Sequence, residues 1–83
     1  MKQIISHPSQ MGQILQGVRK HRKVSQADMA QLLDASQPVV SRLEQNPDTI
    51  KLADLLKMCH RLGLELTISE KPDSSDVIRD GQW

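Results

Sequence analysis

The feature that most narrows the folds open to this chain is a pair of short helix-period segments, Ser25–Leu33 and Ser36–Gln45, joined by about three residues. Ser25 followed by Asp28 has the form of a capping box. Ala27, Met29, Ala30, Leu32 and Leu33 then carry a helical rhythm. Asp34-Ala35-Ser36 interrupts it, and Ser36 can cap a next helix with Pro38 in its first turn. That helix holds Val39, Val40 and Leu43, and it ends near Asn46 because Asn46 precedes a proline. Helices joined so tightly must cross closely, which asks for a small side chain in the first, and Ala30 supplies it. The turn needs a residue tolerant of positive φ, and Asp34 is one of the few non-glycine types that is. The second helix needs apolar residues inward (Val40, Leu43) and short polar ones outward (Gln37, Ser41, Arg42). These demands describe a helix-turn-helix unit, with an ordinary helical hairpin in a bundle as the bland alternative.

The rest of the chain supplies a frame for that pair. Pro8 followed by Met11, Ile14, Leu15 and Val18 predicts a helix over about 8–21, ending in the basic cluster 19–23. Asp48 or Thr49 can cap a fourth helix, with Leu52, Leu55, Leu56, Cys59 and Leu62 as its apolar positions and Gly63 as its left-handed terminator. Leu64-Glu65-Leu66-Thr67-Ile68-Ser69 then alternates, the mark of a half-buried strand. A lone strand is not stable. Its partner is either Ile4-Ile5 of the same chain or, the better candidate, the same segment of a second subunit, which makes Leu64, Leu66 and Ile68 dimerisation residues. Residues 71–83 are polar and predict a disordered tail, so the expected division is a folded domain over 1–70 and a tail over 71–83.

Composition excludes several classes. With 83 residues and no Phe or Tyr, the core is small and aliphatic, so burial against a second copy is the available supplement. Cys59 is alone, and His7, His21 and His60 are scattered, so neither a disulfide nor a metal or other cofactor is expected. No nucleophile–base constellation, phosphate-cradling glycine loop or carboxylate pair can be assembled, which argues against an enzyme. The near absence of aromatics argues against single-stranded nucleic acid, which binds largely by stacking. No signal peptide and no membrane span is visible, so a cytoplasmic protein is expected. Residues 1–62 carry nine Lys/Arg against five Asp/Glu, while residues 63–83 carry two against five. A basic body with an acidic tail suits a polyanionic partner for the body.

The segment Lys23-Val24-Ser25-Gln26-Ala27-Asp28-Met29-Ala30-Gln31-Leu32-Leu33, through Ser41-Arg42-Leu43-Glu44, resembles the phage Cro/C1-type (Xre) helix-turn-helix proteins. Ser-Gln opening the second helix and Ser-Arg-Leu-Glu closing the third are typical of that family. A narrower resemblance, through Glu44-Gln45-Asn46-Pro47-Asp48 and Leu64-Glu65-Leu66-Thr67-Ile68, is to the HipB-type antitoxins, and Trp83 as final residue fits it. Asp34 departs from the usual turn glycine.

The resemblance implies an all-α, lambda-repressor-like domain of four to five helices with one C-terminal strand paired between subunits. It implies a homodimeric repressor on a palindromic double-stranded operator. Gln26 would hold a phosphate. Gln37 would read adenine N6/N7, and Arg42 would read guanine or grip phosphate. Ser36 and Ser41 would lie on the same face, and Pro38 would contribute shape or a thymine-methyl contact. Among the basic cluster, Arg19 is the first choice for a backbone contact. A HipA-like kinase toxin is implied as a second partner, with a free-standing Xre-type regulator as the alternative. Trp83 is either an incidental tail residue or a hook for a partner or a degradation machine.

Overall fold

A computed structural model describes residues 1–72. Within them the order is α1 (Pro8–His21), α2 (Gln26–Leu32), α3 (Gln37–Gln45), a 3-10 turn (Pro47–Thr49) and α4 (Leu52–Arg61). The architecture is all-helical. Helix α3 packs against both α1 and α2, and α4 closes on α2.

Each helix begins for a local reason. Pro8 stands in the first turn of α1, and His7 takes the cap position. His7 Nδ1 accepts the Ser9 backbone N–H at 3.1 Å, while Gln10 Oε1 accepts the His7 N–H at 2.9 Å. Helix α2 opens on the expected capping box. Ser25 Oγ accepts the Asp28 N–H at 2.9 Å and Asp28 Oδ2 accepts the Ser25 N–H at 3.1 Å. The Ser25 backbone N–H, and then its hydroxyl, hold the Asp28 carboxyl below its ordinary value. Ser36 takes the cap position of α3 but makes no side-chain cap bond, so its hydroxyl is left to the surface.

Three helices end by the same device. Val24 N–H donates to Arg19 C=O at 2.9 Å, Ala35 N–H to Ala30 C=O at 2.9 Å, and Leu64 N–H to Cys59 C=O at 2.8 Å. Each is the six-to-one bond of a Schellman motif, which needs a left-handed residue just before it. Those residues are Lys23 (φ 58°), Asp34 (φ 54°) and Gly63 (φ 69°). Asp34 and Gly63 match the expectation. Lys23 does not follow from residue type, because a long side chain gains nothing from that region.

The core gathers Leu15, Val24, Met29, Ala30, Val40, Met58, Cys59 and Leu62. Burial pushes the Cys59 thiol pKa up, so the group stays protonated and unreactive at neutral pH. At Gly12 the backbones of α1 and α3 come together. A Cβ there would fall against the Glu44 carbonyl oxygen and lie 3.1 Å from Pro47 Cγ.

Two expectations need correction. The fourth helix starts at Leu52, not after a cap by Asp48 or Thr49. Pro47 opens a separate 3-10 turn, which Thr49 closes by donating its hydroxyl to the Asn46 carbonyl at 2.8 Å, and Lys51 stands in the α4 cap position. The inward face therefore centres on Leu55, Met58, Cys59 and Leu62, leaving Leu52 and Leu56 at its exposed flank. The C-terminal strand is also absent among the described residues, where 64–71 form no ladder. The two terminal segments flank a groove of about 560 Å³ instead of pairing across it. A strand exists only with a partner to receive its hydrogen bonds, and residues 1–72 of one chain supply none. The expected tail and Trp83 lie almost wholly outside the described residues.

Two stability tests follow from the helix contacts. Gly12→Ala should destabilise by about 1–3 kcal/mol, because the added carbon meets backbone that cannot swing aside. Gly17→Ala in the same helix, where nothing lies within 4 Å, should stabilise by about 0.5–1 kcal/mol. Paired denaturant titrations read both, and similar effects at the two sites would refute the close approach. For Asp28, a folded pKa below the unfolded one means its contribution is present above the unfolded value and lost as pH falls through the folded one. Asp28→Ala should therefore lower the melting temperature at neutral pH, with the gap closing as the medium is acidified below the carboxylate range.

Candidate nucleic-acid interface

The expected contact residues meet where α2 and α3 begin. Ser36, Gln37, Pro38 and Arg42 are exposed, and Gln26 and Ser41 are half-buried. Capping by Ser25 and the Asp34 turn place the two N-terminal ends beside each other. Their proximity is recorded in a side-chain bond: Gln37 Nε2 donates to Gln26 Oε1 at 3.4 Å. This surface is polar, rich in uncharged donors and acceptors, with the single cation Arg42 one turn further along α3.

Arg19 is not part of it. Its side chain is only 8% exposed, and Nε donates to Glu44 Oε2 at 2.6 Å. Nη2 donates to Glu44 Oε1 at 3.2 Å and Nη1 to the Val24 carbonyl at 3.0 Å. A guanidinium with both edges so committed has none to turn towards a phosphate, so the expected backbone contact by Arg19 is corrected to an internal brace. The remaining members of the basic cluster, Lys20, His21, Arg22 and Lys23, are exposed.

Glu44 is the partner that the pattern of the chain did not single out. Its side chain is 2% exposed and holds both Arg19 and Gln26, whose Nε2 donates to Glu44 Oε1 at 3.1 Å. A signal for it exists in the sequence. Arg19 lies four residues after Leu15, and Glu44 four residues after Val40, so opposite charges occupy inward registers of two neighbouring helices. Charges at core registers are nearly always paired. Gly12 was legible by the same logic, as a glycine inside a helical pattern on the Leu15 face. Among the described residues every buried side-chain polar atom has a hydrogen-bond partner.

No three His, Cys, Asp or Glu side chains gather as metal ligands among the described residues, and no helix there is long and apolar enough to cross a membrane. The expected dimerisation residues emerge progressively from the core. Leu64 is half-buried against it, Leu66 is 40% exposed and Ile68 is 91% exposed.

Comparison with known proteins agrees with this geometry. A family model described as a helix-turn-helix domain matches residues 3–71. Two curated proteins named Antitoxin HipB, from two strains of Escherichia coli, are each 27% identical over 80 residues. They cover 96% of this chain, and the matches span 85% and 91% of their own lengths. Two solved chains superpose with a TM-score of 0.72 at 28% identity, over 83% of this chain and 97% of theirs. One is named MDT Protein, and the other belongs to a structure of a HipA–HipB–O2–O3 complex.

The brace yields a stability test. Glu44→Ala should cost about 3–5 kcal/mol, because it strands the Arg19 charge inside the domain. Arg19→Met combined with Glu44→Met should recover most of that loss, since apolar groups of similar volume replace both charges. Chemical denaturation of the single and double variants decides it. A double variant as unstable as the single one would mean that the pair does more than satisfy itself.

Proposed function

The chain belongs to the helix-turn-helix domain family, with HipB antitoxins among its relatives, and from that premise we propose that it is a sequence-specific double-stranded DNA-binding repressor of the antitoxin type. The observation that carries this reading is the exposed opening of α3, where Ser36, Gln37, Pro38 and Arg42 lie at the surface and Gln37 bonds to Gln26. A helix presented in this way fits the major groove, whose base edges offer distinct donor and acceptor patterns. Gln37 pairs with adenine through N6 and N7. Ser41 and Arg42 follow one turn along, Arg42 on guanine or on phosphate, and Pro38 adds shape. Gln26 faces the DNA backbone at the edge of the same surface.

The protein works as a homodimer on a palindromic operator. The exposed Leu66 and Ile68, together with Ile4 at 83% exposure, support this, because apolar side chains so placed lack cover among the described residues. Pairing of residues 64–69 between two copies would supply both the missing ladder and the cover. The second partner is a HipA-like kinase toxin. Support for it is the antitoxin relationship and the presence of HipA beside HipB in the similar complex. The toxin's neutralisation would then accompany repression of the shared operon in the cytoplasm.

Binding to the protein's own promoter tests the core of this reading. Footprinting should show two inverted half-sites centred about 34 Å apart, or a multiple of that distance. Gln37→Ala should weaken operator binding by about 1–3 kcal/mol while leaving random-sequence DNA unaffected. Equal loss on both DNAs would remove Gln37 from base reading. Arg42→Ala should flatten the salt dependence if it grips phosphate, and relax one base position if it reads guanine. Failure to co-purify with a kinase-like protein from the same operon would leave a free-standing regulator.

A further inference from the structure

A continuous chain of polar contacts runs from the interior of the domain to the surface where α3 begins. Arg19 holds Glu44 by two bonds, Glu44 Oε1 accepts Gln26 Nε2 at 3.1 Å, and Gln26 Oε1 accepts Gln37 Nε2 at 3.4 Å. The order of donors and acceptors along it is not free. A carboxylate only accepts, so Gln26 must turn its NH2 inward and its carbonyl oxygen outward. That oxygen also only accepts, so it takes the NH2 end of Gln37. With Glu44 removed, neither glutamine has a reason to prefer one of its two amide orientations.

We infer that Glu44, held by Arg19, is a positioning residue for base recognition: through Gln26 it fixes which end of the Gln37 amide donates and which accepts at the DNA-facing surface. The inference rests on the reading of Gln37 as a base contact. Adenine requires an acceptor opposite N6 and a donor opposite N7. An amide turned end for end sets NH2 against N6 and oxygen against N7, and rejects the base it should select. Fixing the orientation before DNA arrives removes the mismatched half of the population and the ordering cost of choosing. Glu44→Gln has a directional consequence. Arg19 claims the new carbonyl oxygen, the new NH2 donates to Gln26, and the order reverses along the chain to Gln37.

The experiment compares wild type, Glu44→Gln, and the Arg19→Met plus Glu44→Met double variant, which keeps the fold available if the single change does not. Each is titrated with its own promoter fragment carrying every half-site base pair replaced in turn, and with random-sequence DNA. The side-chain amide signals of Gln26 and Gln37 are followed by NMR in the free proteins. In the double variant, discrimination should fall about fivefold at the base pair where Gln37→Ala also loses it, with random-sequence affinity unchanged. The Gln26 and Gln37 amide signals should move to the positions of exposed glutamines. In Glu44→Gln, discrimination at that base pair should fall further still. A folded double variant that keeps both wild-type discrimination and wild-type amide signals overturns the inference. If wild type itself shows no sequence preference, the DNA-binding reading fails, and the amide signals alone decide whether Glu44 orders Gln37.

Discussion

The ion pair between Arg19 and Glu44 is the interaction on which the arrangement of the other parts depends. It joins α1 to α3 across the interior and reaches the α1–α2 connection through the Val24 carbonyl. Such a pair is a poor source of stability, since desolvation consumes most of the Coulomb attraction. What it supplies is direction. An apolar contact between two helices tolerates sliding and rotation, whereas a two-bond guanidinium–carboxylate contact has one geometry. The start of α3 is thereby aimed by a contact near its far end, with Gln26 of α2 tied into the same carboxylate.

Close approach of backbone complements that direction. Gly12 lets α1 settle onto the last turn of α3, at the very residue whose side chain takes Arg19. The side chain and the carbonyl of Glu44 are thus both fixed by α1, one by charge and one by contact. Helix ends follow a similar economy of means. Left-handed residues at Lys23, Asp34 and Gly63 close three helices with main-chain bonds alone, so no side chain near the start of α3 has to serve as a terminator.

Much of this was legible in the sequence because the signals are local. Pro8, the Ser25–Asp28 capping box, Asp34 and Gly63 each act within one turn of themselves, and the helices they bound fall where the apolar rhythm puts them. The start of α4 is not legible locally, because Pro47 can open either kind of helix and the choice rests on how the turn packs against α1 and α3. The segment 64–69 has an alternating pattern but forms no ladder among the described residues, since a pattern reports which face is apolar and not who covers it. Arg19 reads as a surface residue from its neighbours, as one of five cationic or His residues in a row. Its register relative to Leu15 was the better guide. That Ser36, Gln37, Pro38 and Arg42 are exposed together, with Ser41 half-buried beside them, is what the resemblance implies of their placement. The bond linking Gln37 to the interior was not legible, because it depends on two helices meeting.

Helix α2 has seven residues, from Gln26 to Leu32, and a segment of that length does not persist alone in water. It exists because Ser25 and Asp34 bound it and α3 and α4 cover it. Such a unit has no independent melting of its own: it appears and vanishes with the whole domain. Exposure of the chain to a protease at this site is then governed by the global folding equilibrium, and not by fraying of a single element.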